Sequence, residues 1–396
     1  MIIVGAGPAG LVLGHVLQRA HVPFTIVERR SRDDVGGPPK AGSIDHRTVV
    51  LLEREGIAGG PGSPVHFGVR NGVCEFRAPG RRVVLDYGSL TGGRPHFIYP
   101  QHLLVHALSE ALLELGGDVR FSSTVVSATQ DGDGAAVRVR GASDGAGDAA
   151  EHELRGGLLV ACDGARSTTA ALVPDPGAVE ERLGVRMLAV IGATPPLVEH
   201  TIYATHPTGY AAQMRRTPTQ TRFYVVMADD ERIEDWPADR VRDALAVRLD
   251  VGDALAGVEI SEPSIVELRT RMPTTMQHGN AFLAGDAAHV ISPFGGKGMN
   301  LAIADAVELA HGIVESRRPV APSTARLERY SATRLPVIWR TQAFSNWMVR
   351  MVLGAAVSPS PAFGHGLGAG WIDALETDPL LARWFAHAYA GADPDE

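Results

Sequence analysis

The chain opens on an apolar run at residues 2–4, then glycines, then apolar positions at helical spacing from Pro8 to about residue 20. A second apolar run, Phe24-Thr25-Ile26-Val27, lies within 21–28, so the pattern predicts a strand, a helix and a strand, a βαβ unit. Helical spacing returns over 46–55, where Asp45 stands as a cap, and over 101–115, closed by Gly116-Gly117. Alternating stretches predict strands at 65–76 and 81–85, with Ala78-Pro79-Gly80 as the turn, and at 119–122, 136–140 and 153–161. The small polar residues of 141–150 read as a hairpin tip. Strands are expected at 187–192, 200–205, 209–215 and 221–227, followed by a helix at 238–247. Helices at 300–315 and 323–351 close the chain, the second kinked or broken at Pro336.

This order predicts an α/β protein: a Rossmann-like nucleotide-binding domain, an inserted mixed or antiparallel β-sheet domain, and a helical C-terminal portion. The expected divisions are 1–180 (with a small β segment, 65–97, on the substrate side), 181–268 for the inserted sheet, 269–320 for the second part of the nucleotide domain, and 321–396 for the C-terminal helices. A length of 396 residues is enough for two or three domains. The net charge of −8 argues against a nucleic-acid partner, which needs a basic surface. Two cysteines make neither a disulfide framework nor a metal site, fitting a reducing cytoplasm. No apolar run has membrane-spanning length, so no membrane partner is expected.

Three motifs carry chemistry. Gly5-Ala6-Gly7-Pro8-Ala9-Gly10 lies between strand and helix, where Gly5 permits a tight turn, Gly7 lets a pyrophosphate approach and Gly10 allows close helix–strand packing. Glu28 ends the second strand, placed to accept ribose hydroxyls. By itself this motif does not separate FAD from NAD. Asp163-Gly164 follows an apolar strand and alone is an ordinary turn. Gly285-Asp286 ends a third apolar strand, where a carboxylate can accept a ribityl hydroxyl. Pro293-Phe294-Gly295-Gly296-Lys297-Gly298-Met299-Asn300 then leads into a helix whose N-terminus, with Lys297, would favour negative charge on a reduced flavin. The three motifs together point to FAD.

With these motifs, and with the runs IYATHPTGY (202–210), RFYV (222–225) and MQHG (276–279), the chain resembles the FAD-dependent (group A) aromatic hydroxylases of the 4-hydroxybenzoate 3-monooxygenase type. The resemblance covers residue 2 to about residue 348. It implies FAD reduced by NADPH or NADH, O2 as co-substrate, a flavin hydroperoxide, and insertion of one oxygen ortho to the phenol of a small aromatic acid. It also implies a homodimer. On this match Tyr203 and Tyr389 form a proton relay that meets solvent at His66, and the carbonyl of Pro293 faces the substrate hydroxyl. Arg216 and Tyr224 clamp the carboxylate, Arg222 lies near the flavin, and Gln101 and Lys40 contact the FAD pyrophosphate and its surroundings. Arg29, Arg166 and Arg269 are candidates for the nicotinamide cofactor. Without the match, the tyrosines read as core aromatics, His66 as a surface histidine, Arg216 as one solvated charge of a pair, and Arg222 as half of a structural ion pair.

Departures from the family concern the ring pocket. Met214 replaces a serine of the carboxylate clamp; Ala212, Ser43 and Met187 replace residues of different size or shape; Phe294 replaces a small polar residue; Lys40 replaces an arginine. They imply a 4-hydroxybenzoate-like ring with an added substituent, such as an amino group ortho to the phenol. The alternatives are another FAD enzyme of the same fold, a reductase or halogenase, or a flavin-binding protein without catalysis. The catalytic lysine and tryptophan-rich motif of a halogenase are not found. His289 beside Asp286 lacks a second ligand cluster, so no metal is expected. Trp339, Phe344, Trp347, Met348 and Met351, near helical spacing, read as core or a subunit contact.

Overall fold

A computed structural model describes residues 1–37, 42–60, 63, 65–141, 151–175 and 177–391; the proposed hairpin tip at 142–150 and Lys40 lie outside them. Its first sheet has the strand order Gln277–His278, Ala281–Leu283, Leu159–Ala161, Ile2–Val4, Thr25–Val27, Val119–Arg120. All its pairings are parallel except that of the edge strand Gln277–His278. Such strands read as continuous apolar runs because helices cover both faces. The helices Pro8–Arg19, Gln101–Glu114 and Gly298–Ser316 share this core. The expected βαβ unit is present.

The second sheet has seven strands, in the order Ile260–Met272, Val179–Gly192, Gln220–Met227, Gly209–Thr217, Thr201–His206, Val73–Ala78, Arg81–Asp86. Successive side chains of a strand alternate between faces, which gives this sheet two separate cores. Leu188, Val190, Ile202, Ala204, Ala211, Phe223 and Val225 face the helix Ala238–Leu249 through Val241, Leu245 and Leu249. Tyr203, Tyr210, Ala212 and Met187 instead share a core with Phe294, Phe344, Phe385 and Tyr389. The fold is the mixed α/β arrangement expected.

Three elements differ from expectation. The run 153–161 divides into Glu151–Gly156, in a three-stranded sheet, and Leu159–Ala161 in the first sheet; the chain changes sheet at Gly156-Gly157. Likewise 65–76 divides into Val69–Asn71, paired with the strand His96–Ile98, and Val73–Ala78 of the seven-stranded sheet. A local apolar period cannot reveal that a strand switches partners. The C-terminal helix breaks at Arg329 and then runs unbroken from Tyr330 to Val352 with Pro336 inside it. Tyr330, Arg334 and Ile338 are buried at four-residue spacing around the proline. That packing offsets the cost of about 3 kcal/mol that an interior proline carries. Of the aromatic stretch, Phe344, Met348 and Met351 are buried and Trp339 is exposed. Among the described residues no helix is long and apolar enough to cross a membrane.

Candidate active site

The dinucleotide motif has the geometry its glycines require. Gly5 sits at φ +102°, and a Cβ there would collide with the Cys162 backbone. At Gly10 a Cβ would strike the Gly5 carbonyl, whereas at Gly7 it would meet nothing within 4 Å. Gly7 is therefore the open position, at the N-cap of the helix that begins with Pro8 and lacks a side-chain cap. The free N–H groups of the first turn, at Ala9 and Gly10, are suited to a phosphate. Glu28 is buried and braces the turn: its carboxylate accepts the Ala6 N–H at 2.8 Å and the Arg30 N–H at 2.9 Å, leaving lone pairs for ribose hydroxyls. Arg29 is exposed beside it, and Gln101 begins its helix half-buried.

Asp163 and Asp286 flank the same turn, Asp163 following Cys162 beside Gly5 and Asp286 following Gly285, which packs near Ala9. Asp163 Oδ2 accepts from the Thr168 N–H and the Thr169 hydroxyl, while Oδ1 is buried and unpartnered. Asp286 is exposed after the strand Ala281–Leu283 and has no partner among the described residues. At Gly298, the first residue of an uncapped helix, a Cβ would also meet nothing within 4 Å. Open glycines at two helix N-termini, an orphaned carboxylate oxygen and a free carboxylate fit a dinucleotide flavin: anion at one end, polyol hydroxyls at the other.

Behind Asp286 lies a buried cluster of paired charge. Asp305, fully buried, accepts the Gly285 N–H at 3.0 Å, His289 Nε2 at 2.6 Å and Arg334 Nε at 2.7 Å. Burial alone would raise its carboxyl; Arg334 and His289 hold it below the usual carboxylate value. His289 thus serves Asp305 rather than a metal, and no metal-binding group of side chains occurs among the described residues. The spacing of His289 and Asp305 within one stretch was visible, but Arg334 comes from a different helix.

Lys297 and Asn300 bind protein. Lys297 Nζ is buried, paired with Asp45 at 3.1 Å and bonded to the Tyr389 carbonyl at 2.7 Å. Burial pushes its ammonium below the ordinary lysine value. Burial would raise Asp45, but Lys297 and its other neighbours hold that carboxyl down. The positive charge assigned to the flavin is thus offset by Asp45, which also caps its helix by accepting the Thr48 N–H. Asn300 ties residues 43–45 to the loop before its own helix, accepting the Asp45 N–H and donating to the Ser43 and Gly296 carbonyls. Met299 is half-buried next to it.

Strand register brings together the residues expected to face the substrate. Tyr203 pairs with Ala212 and Ala212 with Tyr224, so all three share one row on one face; Met214 pairs with Arg222 one row on. Tyr203 is 1% exposed, and its hydroxyl lies 2.9 Å from that of Tyr389, on the helix Pro379–Ala390. Burial raises both phenols well above the ordinary tyrosine value. Arg216, half-buried, makes no hydrogen bond among the described residues; burial lowers it, the charge of Glu262 opposes that, and the like charge of Arg222 adds to the lowering. Arg222 is buried over the Tyr224 ring at 5.7 Å, with its Nε unpartnered. Phe294 is buried against the Tyr210 ring at 5.5 Å, and Pro293 is exposed.

His66 is exposed and makes no direct contact with the tyrosine pair through a hydrogen bond among the described residues. The histidine against Tyr389 is His96, stacked on its ring at 4.7 Å and bonded through Nε2 to its carbonyl. A carbonyl only accepts, so Nε2 carries the proton and Nδ1 accepts from the Ser43 hydroxyl at 3.0 Å. Burial, reinforced by Lys297, lowers His96 to about 3, so the ring is neutral and fixed. Nothing local in the sequence marks His96; its place follows from the short strand His96–Ile98 pairing with Ser43–Ile44. Arg166 and Arg269, far apart in sequence, line one open pocket of about 410 Å³ together with Arg186, Ile265 and Glu267.

Comparison with known proteins places this geometry. A family model described as FAD binding domain matches residues 1–345. The p-hydroxybenzoate hydroxylase of Acinetobacter baylyi is 30% identical over 355 residues, 88% of this chain and 85% of that protein. The 6-methylpretetramide 4-monooxygenase of Streptomyces rimosus is 28% identical over 379 residues, 91% of this chain and 63% of that one. Among solved structures, the anhydrotetracycline hydroxylase OxyS from Streptomyces rimosus superposes with a TM-score of 0.75 at 27% identity, covering 99% of this chain and 75% of its own.

Proposed function

Since the chain belongs to the FAD binding domain family and is an FAD-dependent monooxygenase, we propose that it hydroxylates a 4-hydroxybenzoate-like aromatic acid ortho to its phenol. The observation that carries this reading is the buried pair of tyrosine hydroxyls, 2.9 Å apart, on a sheet face whose strands also carry Arg216, without a hydrogen bond among the described residues, and Arg222, with its Nε unpartnered. FAD supplies the oxygen-transferring chemistry when bound, with NADH or NADPH as reductant and O2 as co-substrate. Tyr203 Oη takes the hydrogen bond of the substrate phenol and turns its own toward Tyr389 Oη. Proton traffic through this pair raises electron density at the ring carbon ortho to the phenol. Arg216, with Arg222 and the Tyr224 hydroxyl nearby, meets the carboxylate through a planar fork. Asp163, Asp286 and the two helix N-termini hold the cofactor. The pocket of Arg166, Arg186 and Arg269 suits the phosphates of the reductant.

Ala212, a small side chain opposite Tyr203, and Met214 and Phe294 on the same side favour a ring with an extra substituent, such as 3-amino-4-hydroxybenzoate. The test is a panel of substituted 4-hydroxybenzoates, scoring hydroxylated product against NAD(P)H oxidised, for wild type and Tyr203→Phe. We expect the variant to bind substrate but to form product about 10²–10³-fold more slowly, the scale of lost acid–base assistance. Equal product formation by the two proteins would remove the relay from the mechanism.

A further inference from the structure

We propose that Tyr210 is a specificity-determining residue whose hydroxyl hydrogen-bonds a polar substituent of the ring adjacent to the substrate phenol. The proposal rests on the aromatic-acid reading above and deepens it. Tyr210 is 2% exposed, and its hydroxyl makes no hydrogen bond among the described residues yet is not one of their fully enclosed unpartnered atoms, so what exposure it has lies at its polar end. Buried phenols ordinarily find a partner, because an unmade hydrogen bond costs the full desolvation of the group. Tyr330, equally buried, donates to the Leu283 carbonyl, and Tyr87 donates to the Asn71 carbonyl. Tyr210 is the exception, and it stands among the residues expected to face the substrate.

Register locates the exception. Tyr210 pairs with Thr205, whereas Ala212 pairs with Tyr203, so Tyr210 lies one same-face step, about 6.6 Å, from the relay row. Met214 and Arg216 lie beyond Ala212 in the opposite direction along the strand Gly209–Thr217. A ring with its carboxylate toward Arg216 and its phenol at Tyr203 therefore presents the neighbourhood of its phenol to Tyr210. Ala212, between them, contributes only a methyl group. Phe294 packs against the Tyr210 ring and holds it in place. The phenols of Tyr203 and Tyr224 both act electrostatically on Tyr210, which puts its hydroxyl among the site's polar groups. A phenol hydroxyl donates or accepts, so an amino or hydroxyl substituent completes it. A hydrogen atom at that ring position leaves it unpaired, and sites built to hydrogen-bond a group reject analogues that lack it.

The test compares the wild-type holoenzyme with Tyr210→Phe, which keeps the ring packed on Phe294. Both are given 3-amino-4-hydroxybenzoate and 4-hydroxybenzoate, with Kd read from the change in flavin absorbance and kcat/KM from product formed. We expect Tyr210→Phe to lose about tenfold in kcat/KM for the amino-substituted ring, the worth of one hydrogen bond, with Kd following. For 4-hydroxybenzoate it should be unchanged or improved. Equal losses on both rings, or no loss on the amino-substituted ring, would overturn the assignment. If the wild type binds and converts neither ring, the aromatic-acid reading itself fails and the Tyr210 assignment with it. If the wild type converts the amino-substituted ring and the variant matches it, only Tyr210 is overturned.

Discussion

Two clusters of buried charge flank the site, and they are finished differently. Asp305 is fully buried and takes three donors, from Gly285, His289 and Arg334, within 3.0 Å. Arg216 is half-buried with no hydrogen bond among the described residues, and Arg222 is buried with its Nε unpartnered while its Nη2 reaches Ser264 Oγ at 3.5 Å. Taking a charge out of water is costly unless it is paired. The first cluster meets that requirement within the chain, and so belongs to the folding of the Gly285-Asp286 turn. The second leaves Arg216 without an ion pair among the described residues, and on the function proposed above an anionic substrate completes it. Pairing separates the two: Asp305 meets its counter-charges within the chain, whereas Arg216 meets none among the described residues.

The sharpest way to break this contrast is Asp305→Ala. It strands Arg334 in the core and frees the Gly285 N–H, so we expect a loss of about 3–5 kcal/mol, seen as a lower midpoint in urea unfolding. An unchanged midpoint would mean that the cluster does not contribute to folding. A second paired charge, Glu75, gives a pH test. It is buried, with Arg77 at 2.6 Å and His200 at 3.0 Å. Burial would raise its carboxyl, but the His200 and Arg77 hydrogen bonds prevail and hold it at about 2. Its folded pKa is depressed, so its contribution, on the order of 3 kcal/mol, is complete above the unfolded value of about 4.3. That contribution disappears as pH falls from there toward 2. Unfolding midpoints measured from pH 5 to pH 2 should fall more steeply for the wild type than for Glu75→Gln. Parallel curves would remove Glu75 from the acid limb.

The smallest expected effect sharpens the other side of the comparison. Arg216→Met removes a charge without a partner, so the unfolding midpoint should move by no more than about 0.5 kcal/mol. Aromatic-acid affinity should nevertheless fall about 10–100-fold, the worth of charge-assisted hydrogen bonds to a carboxylate. Titration of the flavin absorbance with 4-hydroxybenzoate reads the second quantity. A large stability loss with unchanged affinity would reverse the roles assigned to the two clusters.

Legibility in the sequence followed distance along the chain. Gly5, Gly7 and Gly10 each ended where local reasoning placed them, because a tight turn at a helix N-terminus is set by neighbouring backbone conformations. Asp45 as a helix cap was readable for the same reason. The relay was not: Tyr203 and Tyr389 are 186 residues apart, and only the family resemblance paired them. The resemblance named His66 as the outlet to solvent, and it gave no sign of His96, which packs against Tyr389. Tyr210 passed without notice, since a tyrosine within an alternating strand looks like any other core aromatic until its hydroxyl is found without a partner.

The sequence alone determined the kind of cofactor and the class of fold. Glycine spacing, apolar strand ends and the carboxylates that follow them are short-range features, and short-range sterics are written residue by residue. Tertiary structure alone decided which charges are paired. It paired Lys297 with Asp45, enclosed Asp305 within three donors and left Arg216 open. Those outcomes depend on which distant segments pack together, and a hydrogen bond or ion pair exists only once packing has brought both partners out of water.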